Sequence, residues 1–250
     1  MMRFSYSAIW ADTVNMLKSH GSLIGAVAGV FLLLPTLLTG YFLPQPTPSE
    51  ADPFGPMFEH FANNWPWLLI GNLFNMVGAI AIYLLLLRGR EQTVGRAIAA
   101  ALPILPFYLL MSILTNLAIG LGLGLFILPG IYLLGRLFPA SPVLVTQQPR
   151  NPLAAIRDSW ALTRGRGWAV AGLVAIVFVV GMLVSFVITA ILGSVLLLAG
   201  GREGIGGMLV LILSSALTAA LYAVLTVLVA AIYRALRGGP ESTVDLSKGI

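Results

Sequence analysis

From Ala97 to Gly135 the chain runs for 39 residues without a charged side chain. As one helix at 1.5 Å per residue that stretch would be about 58 Å long, nearly twice a bilayer's hydrocarbon core of about 30 Å. A soluble fold cannot carry many such runs, because a water-facing surface needs about a quarter of all residues charged. Here 9% are charged and 58% hydrophobic, with mean hydropathy +0.96. Most of the surface must therefore face lipid. The middle of the run reads AIGLGLG (118–124), a glycine-rich stretch that predicts a turn. The run divides there into two spans, 99–117 and 121–138.

Four further uncharged runs follow the same logic: Ser22–Leu43, Trp65–Leu87, Gly167–Gly201 and Gly204–Tyr233. They predict spans at 22–43, 65–87, 168–196 and 207–233, the last two long enough to tilt or to continue into the interface. In hydrocarbon every backbone N–H and C=O must be satisfied internally, which makes the spans helices. The expected fold is an all-α, polytopic membrane protein with six transmembrane helices. Residues 1–237 form one integral domain, and 238–250 a flexible cytoplasmic tail. The first apolar run comes late and is too long for a signal h-region, so it reads as a retained span.

Charge orients the spans. Arg3 and Lys18 precede the first. Arg88, Arg90 and Arg96 follow the second, Arg150, Arg157, Arg164 and Arg166 the fourth, and Arg234, Arg237 and Lys248 the sixth. The loop at 44–64 holds Glu50, Asp52 and Glu59 but no Lys or Arg. With Arg136 counted at the same end, thirteen of the fourteen basic residues share one side, and Arg202 is the exception. The positive-inside rule places that side, with both termini, in the cytoplasm. The net charge of +5 then points to anionic headgroups rather than to nucleic acid.

The polar segment NPLAAIRDSWALTRGRGW (151–168) predicts a helix lying at the bilayer surface. Asn151 suits an N-cap and Pro152 the first helical position. Leu153, Ile156 and Trp160 form an apolar face, with Arg157, Asp158 and Arg164 expected on the other side, and Gly165 and Gly167 ending the helix. Ser7–Leu17 and Thr93–Leu102 follow the same plan before spans one and three. Three units of helix, span and span are expected, roughly 5–88, 92–148 and 151–237.

At 126–165 the residues Pro129-Gly130-Ile131-Tyr132, Arg136, Pro142-Val143, Pro152-Leu153-Ala154-Ala155, Ser159-Trp160 and Leu162-Thr163 form a pattern. It resembles the membrane domain attached to some bacterial glycerophosphoryl diester phosphodiesterases, and related stand-alone six-span inner-membrane proteins. The resemblance implies the membrane architecture and no catalytic activity. In the fused relatives the hydrolytic chemistry belongs to a separate barrel domain, and Arg234–Ile250 is too short to be one.

Candidate sites remain few. Arg136, near the inner end of span four, is expected either to contact a lipid or substrate phosphate, together with Arg157, Arg164 and Arg166, or to snorkel or pair with Glu91 or Asp158. Pro129-Gly130 predicts a kink in span four. Gly21, Gly25 and Gly29 form a GxxxGxxxG row for helix packing or for a homodimer. Asn72, Asn75, Ser112, Thr115 and Asn116 could line a polar path or make interhelical hydrogen bonds. There is no cysteine, and His60 with the loop carboxylates is a poor ligand set for zinc. No catalytic group, metal or cofactor is expected. The leading expectation is a non-catalytic membrane protein that binds lipid or a protein partner, possibly in envelope organisation. The alternative is a transporter or exporter of an amphipathic, lipid-like substrate.

Overall fold

The computed structural model describes residues 5–43, 46, 52, 55–88 and 93–238. Arg3, Glu50, Arg90, Glu91, Lys248 and most of the tail lie outside them. The described chain is helical throughout, and six of its helical segments are long and apolar enough to cross a membrane.

Helix α1 (Tyr6–Ala28) starts on Ser5, whose hydroxyl accepts the Ala8 N–H at 3.4 Å. At His20 the backbone leaves helical geometry (φ −121°, ψ 15°). The amphipathic segment and the first span are thus two helices meeting at a kink. A π-helical turn at Gly29–Leu33 leads into α2 (Leu34–Phe42). Pro35 explains the wide turn, because its ring has no N–H and crowds the carbonyl four residues earlier.

The expected loop at 44–64 is shorter than the charge pattern implied. Helix α3 (Gly55–Leu87) already begins at Gly55, whose N–H donates to Asp52 Oδ1 at 2.8 Å. A carboxylate at a helix start offsets the positive end of its dipole. Then come α4 (Val94–Ala101), capped by Thr93, and α5 (Leu105–Leu125), separated by a turn at Pro103.

The third–fourth hairpin corrects two expectations. Its turn falls at Phe126 (φ −156°, ψ 140°), not at 118–120, and Gly120–Gly124 stay helical. Glycine permits a turn without forcing one, and Gly122 is used for close approach: a Cβ there would stand 3.1 Å from Gly130 Cα. Helix α6 (Ile127–Leu137) places Pro129 in its first turn. A missing N–H costs nothing there, so Pro129-Gly130 makes no kink. Gly130 instead lets α6 lie against the end of α5, since a Cβ on it would strike Leu123. The real interruption is at Phe138-Pro139, after which α7 (Ala140–Thr146) resumes and completes the span at 146 rather than 138.

Asn151 caps α8 (Pro152–Leu162) as expected, its side chain accepting from Leu153 and Ala154 at 3.0 and 3.3 Å. The long hairpin α9 (Gly167–Gly200) and α10 (Ile205–Arg237) closes the chain. The positive φ of Gly201 (73°) makes its turn.

Helices α3 and α10 stand in the middle. Helix α3 packs on α1, α2, α4, α5, α7 and α10, while α10 also meets α1, α2, α7 and α9. Large buried side chains such as Ile80, Leu84, Ile104, Leu144, Val170, Leu228 and Ile232 lie towards the arginine-bearing end. That end is also cross-braced, by Arg234 to Asp12 at 3.5 Å and by Arg88 Nη2 donating to the Val145 carbonyl at 3.5 Å. Towards the other end the flanks open. Most of α9 beyond Ile176 is exposed, up to 88% at Leu198. Apolar flanks of this kind suit acyl chains, not water.

Candidate lipid interface at the basic end

Arg136 is only 3% exposed, so it neither reaches a headgroup nor snorkels. Its guanidinium carbon stands 4.1 Å from the centroid of the Trp160 ring and 5.7 Å from that of Tyr132. Among the described residues it has no carboxylate partner, and its Nε makes no hydrogen bond. The ring faces and the C-terminal turn of α6, where Arg136 sits, carry the charge instead.

The main chain at the same residue is equally engaged. The Arg136 carbonyl accepts from Ser159 Oγ at 2.8 Å and from Thr163 Oγ1 at 3.4 Å. Tyr132 continues the stack onto Trp168, ring centroids 5.5 Å apart. Glycines make the approach possible: a Cβ on Gly135 would collide with the Gly167 carbonyl, and one on Gly167 would lie 2.7 Å from Arg136 Cδ. These contacts lock α6, α8 and the start of α9 together. Of the partners expected for Arg136, Asp158 pairs with Arg157 instead, and Glu91 lies outside the described residues. The usable signal was aromatic: Tyr132 one helical turn before it, and Trp160 on a neighbouring amphipathic helix.

The faces of α8 also differ from expectation. Pro152, Ala155, Ser159 and Thr163 are buried, whereas Leu153, Arg157, Trp160 and Arg164 share the outward stripe. At 100° per residue positions 153, 157 and 160 fall within about 60° of one another, and the exposed Arg164 follows in the turn after Leu162. Arg157 therefore stands beside Leu153 and Trp160, not opposite them. Small and hydroxylated residues win the inner face because the helix must approach the Arg136 carbonyl closely. Outside, Leu153 is 66% exposed and the Arg157 side chain 83%. Arg166 is half-buried at the α9 start.

The remaining candidates do not join this site. Gly21, Gly25 and Gly29 have open space where a Cβ would stand, so the row packs closely against no helix among the described residues. Asn75, Ser112, Thr115 and Asn116 each bond a carbonyl of their own helix, and no hydrogen-bonded path joins them across helices. Asn72 is exposed. Among the described residues no three His, Asp or Glu gather into a metal site. At the far end Leu38, Phe42, Trp67, Ile70 and Phe74 line an apolar groove of about 560 Å³ between α2 and α3.

Fold and site together define a six-span helical membrane protein whose basic end carries an amphipathic helix docked on a buried arginine. Residues 56–222 match the profile of the uncharacterised protein family UPF0259, and the chain belongs to that family. It is similar to UPF0259 membrane proteins of Yersinia pestis (strain Pestoides F) and Yersinia pseudotuberculosis serotype O:3 (strain YPIII), each 34% identical over 91 residues. That alignment covers 36% of this chain and 35% of either relative, about a third of their length. No solved structure matches.

Proposed function

We propose that the protein is a non-catalytic phospholipid-binding protein of a bacterial inner membrane, with its basic end and both termini in the cytoplasm. The observation that carries this reading is the outward stripe of α8 and the turn that follows it, where Leu153, Arg157, Trp160 and Arg164 are all exposed. Guanidinium groups donate to phosphate oxygens, while leucine and tryptophan favour the boundary between headgroup and acyl chain. The sequence likeness at 126–165 to the membrane domain of glycerophosphoryl diester phosphodiesterases fits this reading, since it falls on the elements that position the stripe. A carrier has less support. Its motivating kink is absent, and its polar residues bond within their own helices.

The test is lipid retention by the full chain, released from nanodiscs containing phosphatidylglycerol and read by native mass spectrometry. Changing Arg157 and Arg164 together to Gln should lower retained phosphatidylglycerol several-fold. Unchanged retention in a variant with a normal melting profile overturns the reading.

A further inference from the structure

A second lined cavity lies on the other flank of α8. It has a volume of about 460 Å³ and opens between α7, α8 and the end of α10. Three elements bring polar groups to it: Thr146 and Gln147 from the α7 end, Asp158 from α8, and Tyr233 and Arg237 from α10. Val143 and Leu162 supply apolar wall. Its volume falls in the range of small-ligand sites.

The charges in this cavity are opposite in sign and unspent. Among the described residues the ion pair of Asp158 is with its sequence neighbour Arg157 at 3.8 Å, between half-buried and exposed side chains. Such surface pairs contribute little. Arg237 has no carboxylate within 4 Å there, and its guanidinium carbon stands 5.4 Å from the Tyr233 centroid. Gln147 Oε1 is buried and accepts no hydrogen bond, an acceptor without its donor. By contrast Thr146 and Tyr233 are satisfied. Their hydroxyls meet at 2.7 Å, and Thr146 also reaches the Pro142 carbonyl at 2.9 Å. That bond fixes the Tyr233 ring beneath Arg237.

We propose that this cavity binds the phosphoethanolamine head of an aminophospholipid, its phosphate on Arg237 and its ammonium between Asp158 and Gln147 Oε1. The inference rests on the lipid-binding reading but uses different side chains. An ammonium has three N–H donors, which suit a carboxylate and an orphan amide oxygen. A quaternary choline has none, so it leaves Gln147 unsatisfied. A purely anionic head brings no cation to Asp158. The position at the ends of two membrane segments, with Val143 and Leu162 alongside, favours a lipid over a soluble phosphoethanolamine.

The experiment is native mass spectrometry of the full chain released from nanodiscs of equal phosphatidylethanolamine and phosphatidylglycerol. The parent chain should retain phosphatidylethanolamine, and Asp158→Asn should cut that retention about tenfold, the size expected for one charge-assisted bond, while leaving phosphatidylglycerol unchanged. Gln147→Glu, which adds a second negative acceptor, should keep or strengthen the preference and serves if Asp158→Asn melts early. Arg157→Gln with Arg164→Gln should lower phosphatidylglycerol alone, which separates the failure of this inference from that of the stripe. An unchanged ratio of the two lipids in Asp158→Asn overturns the proposal. A soluble arm adds free phosphoethanolamine to lipid-stripped protein. Retention of that molecule with no aminophospholipid retained from nanodiscs overturns the lipid source.

Discussion

Removing the Trp160 ring should cost far more than removing the charge it holds. The guanidinium carbon of Arg136 lies 4.1 Å from the Trp160 centroid, well inside the 6 Å reach of a cation–π contact, whereas Tyr132 at 5.7 Å is at its edge. A desolvated contact of this kind contributes about 2 kcal/mol. Trp160→Leu loses it and leaves a guanidinium, 3% exposed, with little to replace it. An unsatisfied buried polar group adds about 1–3 kcal/mol. The combined cost is about 4 kcal/mol. At roughly 2–4 °C per kcal/mol for a chain of this size the melting midpoint falls by about 10 °C. Arg136→Met keeps most of the stem volume and removes the charge, so its cost is about 1 kcal/mol. Arg136→Met should therefore rescue Trp160→Leu: the double variant melts higher than Trp160→Leu alone. The assay is loss of the monomer peak on size exclusion after heating in mild detergent, run on all four members of the cycle. Additive effects, or an Arg136→Met as damaging as Trp160→Leu, would refute the reasoning by showing that other groups hold the charge.

Three smaller expectations use the same assay. Gly135→Ala puts a Cβ against the Gly167 carbonyl and Ala171, and overpacking against backbone should cost about 1–3 kcal/mol or more. Gly25→Ala faces open space in a helix and should stabilise by up to about 1 kcal/mol; a change in oligomeric state on Gly25→Leu would reveal a second copy seated on the row. Asn151→Ala removes a cap that accepts two N–H groups and should lower stability by about 1 kcal/mol, with hydrogen exchange at Leu153 and Ala154 rising first.

The sequence was most legible where a strong one-dimensional signal acts alone. Uncharged length set six spans, and the cap Asn151 marked a helix start that the structure retains. It was least legible where one residue type serves two ends. The glycines at 120–124 read as a turn, but Gly122 is helical and kept small by the approach of Gly130. Pro129 read as a kink because its helix was expected to begin at 121. Moving that start to Ile127 turns a helix breaker into a first-turn residue. For Arg136 the expectation assumed that a charge seeks an opposite charge, and the chain offers aromatic faces instead. The placement of Asp158 and Arg237 on one cavity depends on where α8 lies relative to the end of α10, which no local pattern encodes.

Several residues between 126 and 165 share one structural role. Tyr132, Arg136, Ser159, Trp160 and Thr163 all meet at one joint, through ring faces on the guanidinium and hydroxyls on its carbonyl. Each depends on the others: the ring compensates the charge, and the small inner face of α8 lets the hydroxyls reach the main chain. The joint fastens a surface helix to two spans. The ligand-directed residues are therefore to be sought off the joint, on the stripe of Arg157 and Arg164 and in the cavity of Asp158, Gln147 and Arg237. If so, variants on the joint should change melting and lipid retention together. Variants on the stripe or in the cavity should change retention at constant melting, and that separation distinguishes scaffold from site.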